Sequence, residues 1–142
     1  MKIYFSIILA LILAIQLIRP ERSNPPVDKS LELQAPKEVM DILKKSCYDC
    51  HSNETKWTTA SSIAPFMWTI ASHVKEGRKA LNFSEWKKME KDTKIKKLDR
   101  CIQTTKSTIM PLPSYVNYHD EAKLSEEDKK LLLEWFTNEL TK

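Results

Sequence analysis

The stretch KKSCYDCHSNETKW, residues 44–57, sets two cysteines three positions apart and places a histidine directly after the second. Cys47, Cys50 and His51 have three chemical uses: a zinc site, a redox disulfide or a haem. Zinc wants four ligands, normally with a second pair at comparable spacing, and the remaining soft ligands here are the scattered Cys101, His73 and His119. A thioredoxin-type disulfide opens a helix in a βαβ setting. A haem asks for what the pentapeptide offers: each cysteine reaches one of two vinyl groups, and the next residue is carried beneath the ring as an iron ligand. The haem reading therefore ranks first, with structural zinc behind it. It consumes two of the three cysteines and leaves Cys101 over, as a small buried hydrophobe.

Outward from this motif the chain reads as all-α. A single glycine, Gly77, argues against a sheet-rich fold with many tight turns. A helix starting near Pro36 carries Val39, Ile42, Leu43, Ser46, Cys47 and Cys50 at steps of three and four, which ends it on the motif with the cysteines on its inner face. A second helix is expected over 62–76, with Ile63, Phe66, Met67, Ile70 and Val74 inward and Gly77 as its cap. A third begins at Ser84 and carries Trp86, Met89, Leu98 and Ile102. STIMPLPSYVNYH, residues 107–119, breaks the pattern with Pro111 and Pro113. LSEEDKKLLLEWF then opens a last helix, with Ser125 as cap, Asp128 three residues on, and Leu132, Phe136 and Leu140 inward.

At the other end, residues 3–18 are sixteen residues without a charge, between Lys2 and Arg19. As a helix this run reaches about 24 Å, and snorkelling Lys2 and Arg19 extend it towards a bilayer core of about 30 Å. No small-x-small cleavage site follows, so residues 1–19 read as an uncleaved signal anchor in preference to a cleaved signal peptide. Residues 20–30, rich in proline and charge, read as an extended, solvated tether, and 31–142 as the domain. That domain, at about 110 residues, is small enough to gain from a cofactor in its core. The formal charge of +4, from 23 basic and 19 acidic residues, is mild, and no arginine–aromatic interleaving marks a nucleic-acid surface.

A haem with two axial ligands needs a partner for His51. Met110 stands in a proline-stiffened loop where no helical stripe accounts for it, and its thioether is the preferred sixth ligand; His73 is the alternative, or the position is open. Trp57, Trp68, Phe66 and Tyr115 are candidates to bury the ring, and Arg78 to pair with a propionate. His119, beside Asp120 and Glu121, reads as an exposed loop histidine.

The CYDCHS motif, the IMP loop and the helix opened by LSEEDKKLLLEW resemble the plan of small class I c-type cytochromes. More closely, CYDCHSNETKW, IAPFMWTIASHVKEGRKALNFSEW and MPLPSYVNYHDEAKLSEEDKKLLLEWF resemble the bacterial haem-binding domain family of anchored, single-haem envelope proteins, over residues 36–137. The resemblance implies a small cytochrome c-like helical domain around one haem c, thioether bonds at Cys47 and Cys50, His51 on the iron, and a location outside the cytoplasmic membrane. The function expected is one-electron transfer on the periplasmic side of a bacterial envelope, with the membrane and unidentified redox proteins as partners and no nucleic acid or small-molecule substrate. The alternative from another class is a five-coordinate haem sensor or peroxidase-like protein; against it, the sequence offers only His73 and His119 as loose acid–base candidates.

Overall fold

The start signal at Ser125 is realised as a reciprocal capping box: the Ser125 hydroxyl accepts from the Asp128 amide and the Asp128 carboxylate accepts from the Ser125 amide. The helix it opens in the computed structural model, which describes residues 1–141, is Glu126–Leu140. Numbered in chain order, the helices are α1 (Lys2–Ile15), α2 (Lys37–Ser46), α3 (Tyr48–His51), α4 (Phe66–Ala80), α5 (Lys91–Lys106), α6 (Pro113–Val116) and α7 (Glu126–Leu140), with 3-10 turns at Ala60–Ser62, Phe83–Lys88 and Asp120–Ala122. The described residues contain no strand.

Helix α7 lays Leu132, Trp135 and Phe136 against Leu98 and Ile102 of α5 and against α2, whose Val39, Ile42 and Leu43 are buried. Each such side chain contributes about 1.5–3 kcal/mol by leaving water. Lys45 of α2 reaches Asp128 at 2.7 Å, tying the motif-bearing end of α2 to the start of α7.

The boundaries around the motif differ from the sequence expectation. α2 stops at Ser46; the backbone turns at Cys47 (φ −129°), and Tyr48–His51 form their own short helix, so the cysteines stand at and beyond a joint and are half-buried. The second expected helix lies four residues later. It starts after Pro65, which lacks the amide that an initial helical position leaves unpaired anyway. Ile63 and Phe66 consequently stay exposed while Met67, Ala71 and Val74 are buried. Gly77 lies inside α4 and does not cap it. Ser84 is likewise no cap: Asn82 caps the 3-10 turn Phe83–Lys88, Ser84 is buried with its hydroxyl accepting from the Asn53 amide, and α5 begins separately after Glu90.

Helix α1 spans fourteen residues, about 21 Å at the helical rise, and buries none of them. No helix among the described residues is long and apolar enough to cross a membrane, so a spanning anchor over 1–19 finds no support here. The helix ends where Gln16 turns to the domain and accepts the Ala64 amide at 2.9 Å. The expected tether is extended but laced down. Trp68 donates its indole N–H to Ile18 O, Arg22 donates to Ser61 and Ser62, Asn24 to Thr55 O, and Asn53 to Pro26 O.

Candidate functional site

Three parts of the chain meet around one cavity of about 250 Å³. The α2–α3 joint supplies Ser46, Cys47, Asp49, Cys50 and His51. The face of α4 that repeats at three and four residues supplies His73, Glu76, Gly77 and Ala80, and the loop after α5 with the short α6 supplies Met110, Leu112 and Tyr115. Close approach of the first two walls depends on Gly77: a β-carbon there would stand 2.5 Å from the Cys50 carbonyl oxygen and 3.0 Å from the Cys50 β-carbon.

His51 is oriented by its neighbours. Its Nδ1 lies 3.0 Å from the Leu81 carbonyl, which only accepts, so Nδ1 carries the proton and Nε2 keeps its lone pair for a metal. Burial lowers the His51 pKa, against the pull of the Leu81 and Gly77 carbonyls, and favours the neutral ring that ligation requires. The edge of the Phe83 ring limits its movement, with centroids 6.3 Å apart.

Both motif thiols are protonated. Burial is the main cause, raising Cys47 to about 12 and Cys50 to about 11; Cys101 rises to about 12 for the same reason. A structural zinc site wants thiolates in an electropositive setting, and no cluster of three or more metal-ligating side chains occurs among the described residues. All three cysteines are free.

Asp49, between the two cysteines, fastens the site. Its Oδ1 accepts the Lys56 amide at 3.0 Å and its Oδ2 accepts the Tyr115 hydroxyl at 2.7 Å, while Thr55 donates to the Asp49 carbonyl. The Tyr115 bond links the motif to the loop that carries Met110. Behind it, the Tyr115 ring stacks on His119 at 4.3 Å, and His119 pairs with Glu121 at 3.3 Å, so His119 is a half-buried brace and not the free loop histidine expected. No local sequence signal marks Asp49, whose partner is 66 residues away.

The structure therefore gathers Cys47, Cys50, His51, Met110, Tyr115 and the alternative ligand His73. His73 is exposed at the rim of the cavity. Trp57, Trp68 and Arg78 go elsewhere: they line a separate hollow of about 660 Å³ on the tether side of α4. The cause is the helical period, since Trp68, Lys75 and Arg78 share one face of α4 while His73, Gly77 and Ala80 share another. Arg78 donates to Ser52 O, Ser23 O, Asn24 and Thr55, and Trp57 to Asn24. Their place in the structure is a clasp on the N-terminal segment.

The sequence model of the haem-binding domain family matches residues 10–138. The chain belongs to that family. No curated protein and no solved structure matches it. The haem-binding domain so defined includes the laced segment 16–26, in keeping with its hydrogen bonds to the domain. The cavity suits the cofactor on its own terms. It offers a neutral imidazole nitrogen and a thioether sulfur, the soft donors that low-spin haem iron accepts, in mostly apolar surroundings. Ser46 adds a buried hydroxyl that has no partner among the described residues.

Proposed function

We propose that this haem-binding domain holds a single c-type haem covalently and carries one electron at a time in the bacterial cell envelope, its iron alternating between ferric and ferrous. The observation that carries the reading is the His51–Leu81 hydrogen bond in a cavity shared with Cys47, Cys50 and Met110: an imidazole fixed in one tautomer beside two protonated thiols and a thioether. Cys47 and Cys50 would hold the haem as thioethers, each adding its S–H across a vinyl double bond, sulfur to the carbon next to the ring and hydrogen to the terminal carbon, so the atoms would balance without an oxidant. His51 and Met110 would hold the iron, the imidazole Nε2 and the thioether sulfur as its two protein donors. A thioether favours ferrous iron and, with an apolar lining, raises the potential. Covalent attachment of this kind belongs outside the cytoplasm, and the exposed apolar α1 fits attachment to the membrane surface that bounds that compartment.

The test is an absorption spectrum of the full chain, produced in a periplasm with haem-attachment machinery, for wild type and Met110→Ala. Haem retained after acid–acetone extraction is the expected result; its loss refutes the thioether bonds at Cys47 and Cys50. The weak red ferric band of iron–thioether ligation is expected in wild type and absent from the variant. A high-spin wild type that binds carbon monoxide would replace electron transfer with the open-haem reading and move attention to the exposed His73.

A further inference from the structure

The net charge of the chain is concentrated in one stretch. Residues 83–106, which form the 3-10 turn Phe83–Lys88 and helix α5, hold eight basic and four acidic residues. The other positions hold fifteen of each, so this stretch accounts for the whole formal charge of +4. On α5, Leu98, Ile102 and Thr105 face the core, while Lys97, Arg100 and Thr104 fall at steps of three and four on the outward side, with Lys96 one turn before Arg100. Among the described residues none of Lys96, Lys97 and Arg100 is in an ion pair. Two acids of the same stretch are engaged: Glu85 holds Lys88 at 2.8 Å, and Asp99 accepts from Gln103 at 2.6 Å.

The stripe ends at Thr104, whose carbonyl accepts the amides of both Ile109 and Met110, at 3.0 and 3.2 Å. The cations therefore lead to the loop that brings Met110 into the lining of the cavity. On that loop Ile109 is 51% exposed, an apolar side chain beside uncompensated positive charge. Protein interfaces combine these parts, an apolar contact with charges around it that steer the approach. We infer that Lys96, Lys97 and Arg100, with Ile109, form the docking surface for an acidic one-electron redox protein, seated against the Met110 loop. The inference rests on the electron-transfer reading above and adds to it the charge of the partner and its seat. In the exchange one electron passes between the domain and the partner, and no bond forms or breaks. Carboxylates on the partner supply the counter-charge that these three side chains lack within the chain, and the planar fork of Arg100 suits one of them. Lipid is the other anionic surface of an envelope. The apolar helix α1, however, joins the domain at Ala64, ahead of α4, while α5 packs on α7, so the stripe is no extension of α1.

The experiment uses the full-length, haem-loaded, reduced protein as wild type, Lys97→Gln, Arg100→Gln, Arg100→Lys and Lys75→Gln, the last an exposed lysine of the tether-side hollow. Stopped-flow oxidation by hexacyanoferrate(III), an anion, is compared with oxidation by tris(phenanthroline)cobalt(III), a cation. At an ionic strength of about 0.1 M the Debye length is about 10 Å, so only charges close to the point of contact count. Lys97→Gln and Arg100→Gln are expected to slow the anion by about threefold or more and to speed the cation, while Arg100→Lys and Lys75→Gln keep the wild-type rates. Sedimentation with phosphatidylglycerol vesicles is expected to be the same for wild type and variants. Rates in Lys97→Gln and Arg100→Gln that match those of Lys75→Gln overturn the inference and leave electron transfer standing. A loss of vesicle binding confined to those two variants gives the stripe to lipid and overturns it as well. A wild type that carries no covalent haem, or that neither oxidant turns over, overturns both readings.

Discussion

Replacing Gly77 with alanine tests the joint on which the cleft depends. The added β-carbon would sit 2.5 Å from the Cys50 carbonyl oxygen, 3.0 Å from its carbon and 3.0 Å from the Cys50 β-carbon, all parts of α3 that cannot swing aside. Restoring ordinary contact at 3.4 Å requires α3 and α4 to separate by about 0.9 Å. Alanine itself favours a helix interior over glycine by about 0.5–1 kcal/mol, while overpacking a tight contact costs about 1–3 kcal/mol. The net expectation is a loss of about 1–2 kcal/mol, or roughly 5–10 °C in Tm for a domain of this size. Thermal unfolding of the haem-free chain followed by far-UV circular dichroism measures it, with Ser72→Ala, exposed on the same helix, as the comparison that holds its Tm. Because the displaced residue is Cys50, the yield of covalently attached haem should fall alongside. A Gly77→Ala chain that melts at or above the wild-type temperature and loads normally would refute the argument, since helix propensity would then have outweighed a contact claimed to be incompressible.

Tyr115→Phe removes the hydroxyl that holds the Met110 loop to Asp49 and leaves a half-buried carboxylate one bond short; urea unfolding should show a loss of about 1.5–3 kcal/mol. The Asp128 carboxyl is pushed up by its partial burial and, more strongly in sum, held below its usual 3.8 by the Lys45 ammonium and the Ser125 amide and hydroxyl. A depressed acid contributes stability that is present above the unfolded value and disappears as pH falls through the folded one. Asp128→Asn should therefore flatten the stability–pH curve below about pH 4, and an unchanged acid limb would argue against the Lys45–Asp128 tie.

Much of the site was legible because it is local. The spacing of the pentapeptide at 47–51 pointed to a haem, in keeping with the family match, Ser125 and Asp128 mark a helix start within one turn, and Met110 stood out as a candidate because its prolines left no helix to explain it. What the sequence hid was long-range. Arg78 and Trp57 looked like parts of the cofactor site because charge and aromaticity suit it, yet the helical period sets Arg78 on the other face of α4, and both bond to the N-terminal segment more than thirty residues away, Trp57 to Asn24 and Arg78 to Ser23 and Asn24. Gly77 read as a cap because glycine commonly ends helices; its use here, letting one backbone touch another, is visible only once α3 is in place. α1 ends at Ile15 and Gln16 beyond it meets Ala64, a contact that hydropathy along the chain does not express.

The lacing of residues 16–26 sets the geometry of any encounter. A cofactor on a slack leash would sweep a hemisphere and present every edge in turn. Here the joint between α1 and the globule is buttoned at Ala64, Trp68, Ser61 and Arg78, so whatever surface receives α1 receives the globule at one bearing. If the domain exchanges electrons at such a surface, as proposed above, collisions with a donor or acceptor there would be restricted to a fixed angle of approach, and the rate of a productive one would depend on how the two partners are mounted as much as on how they attract.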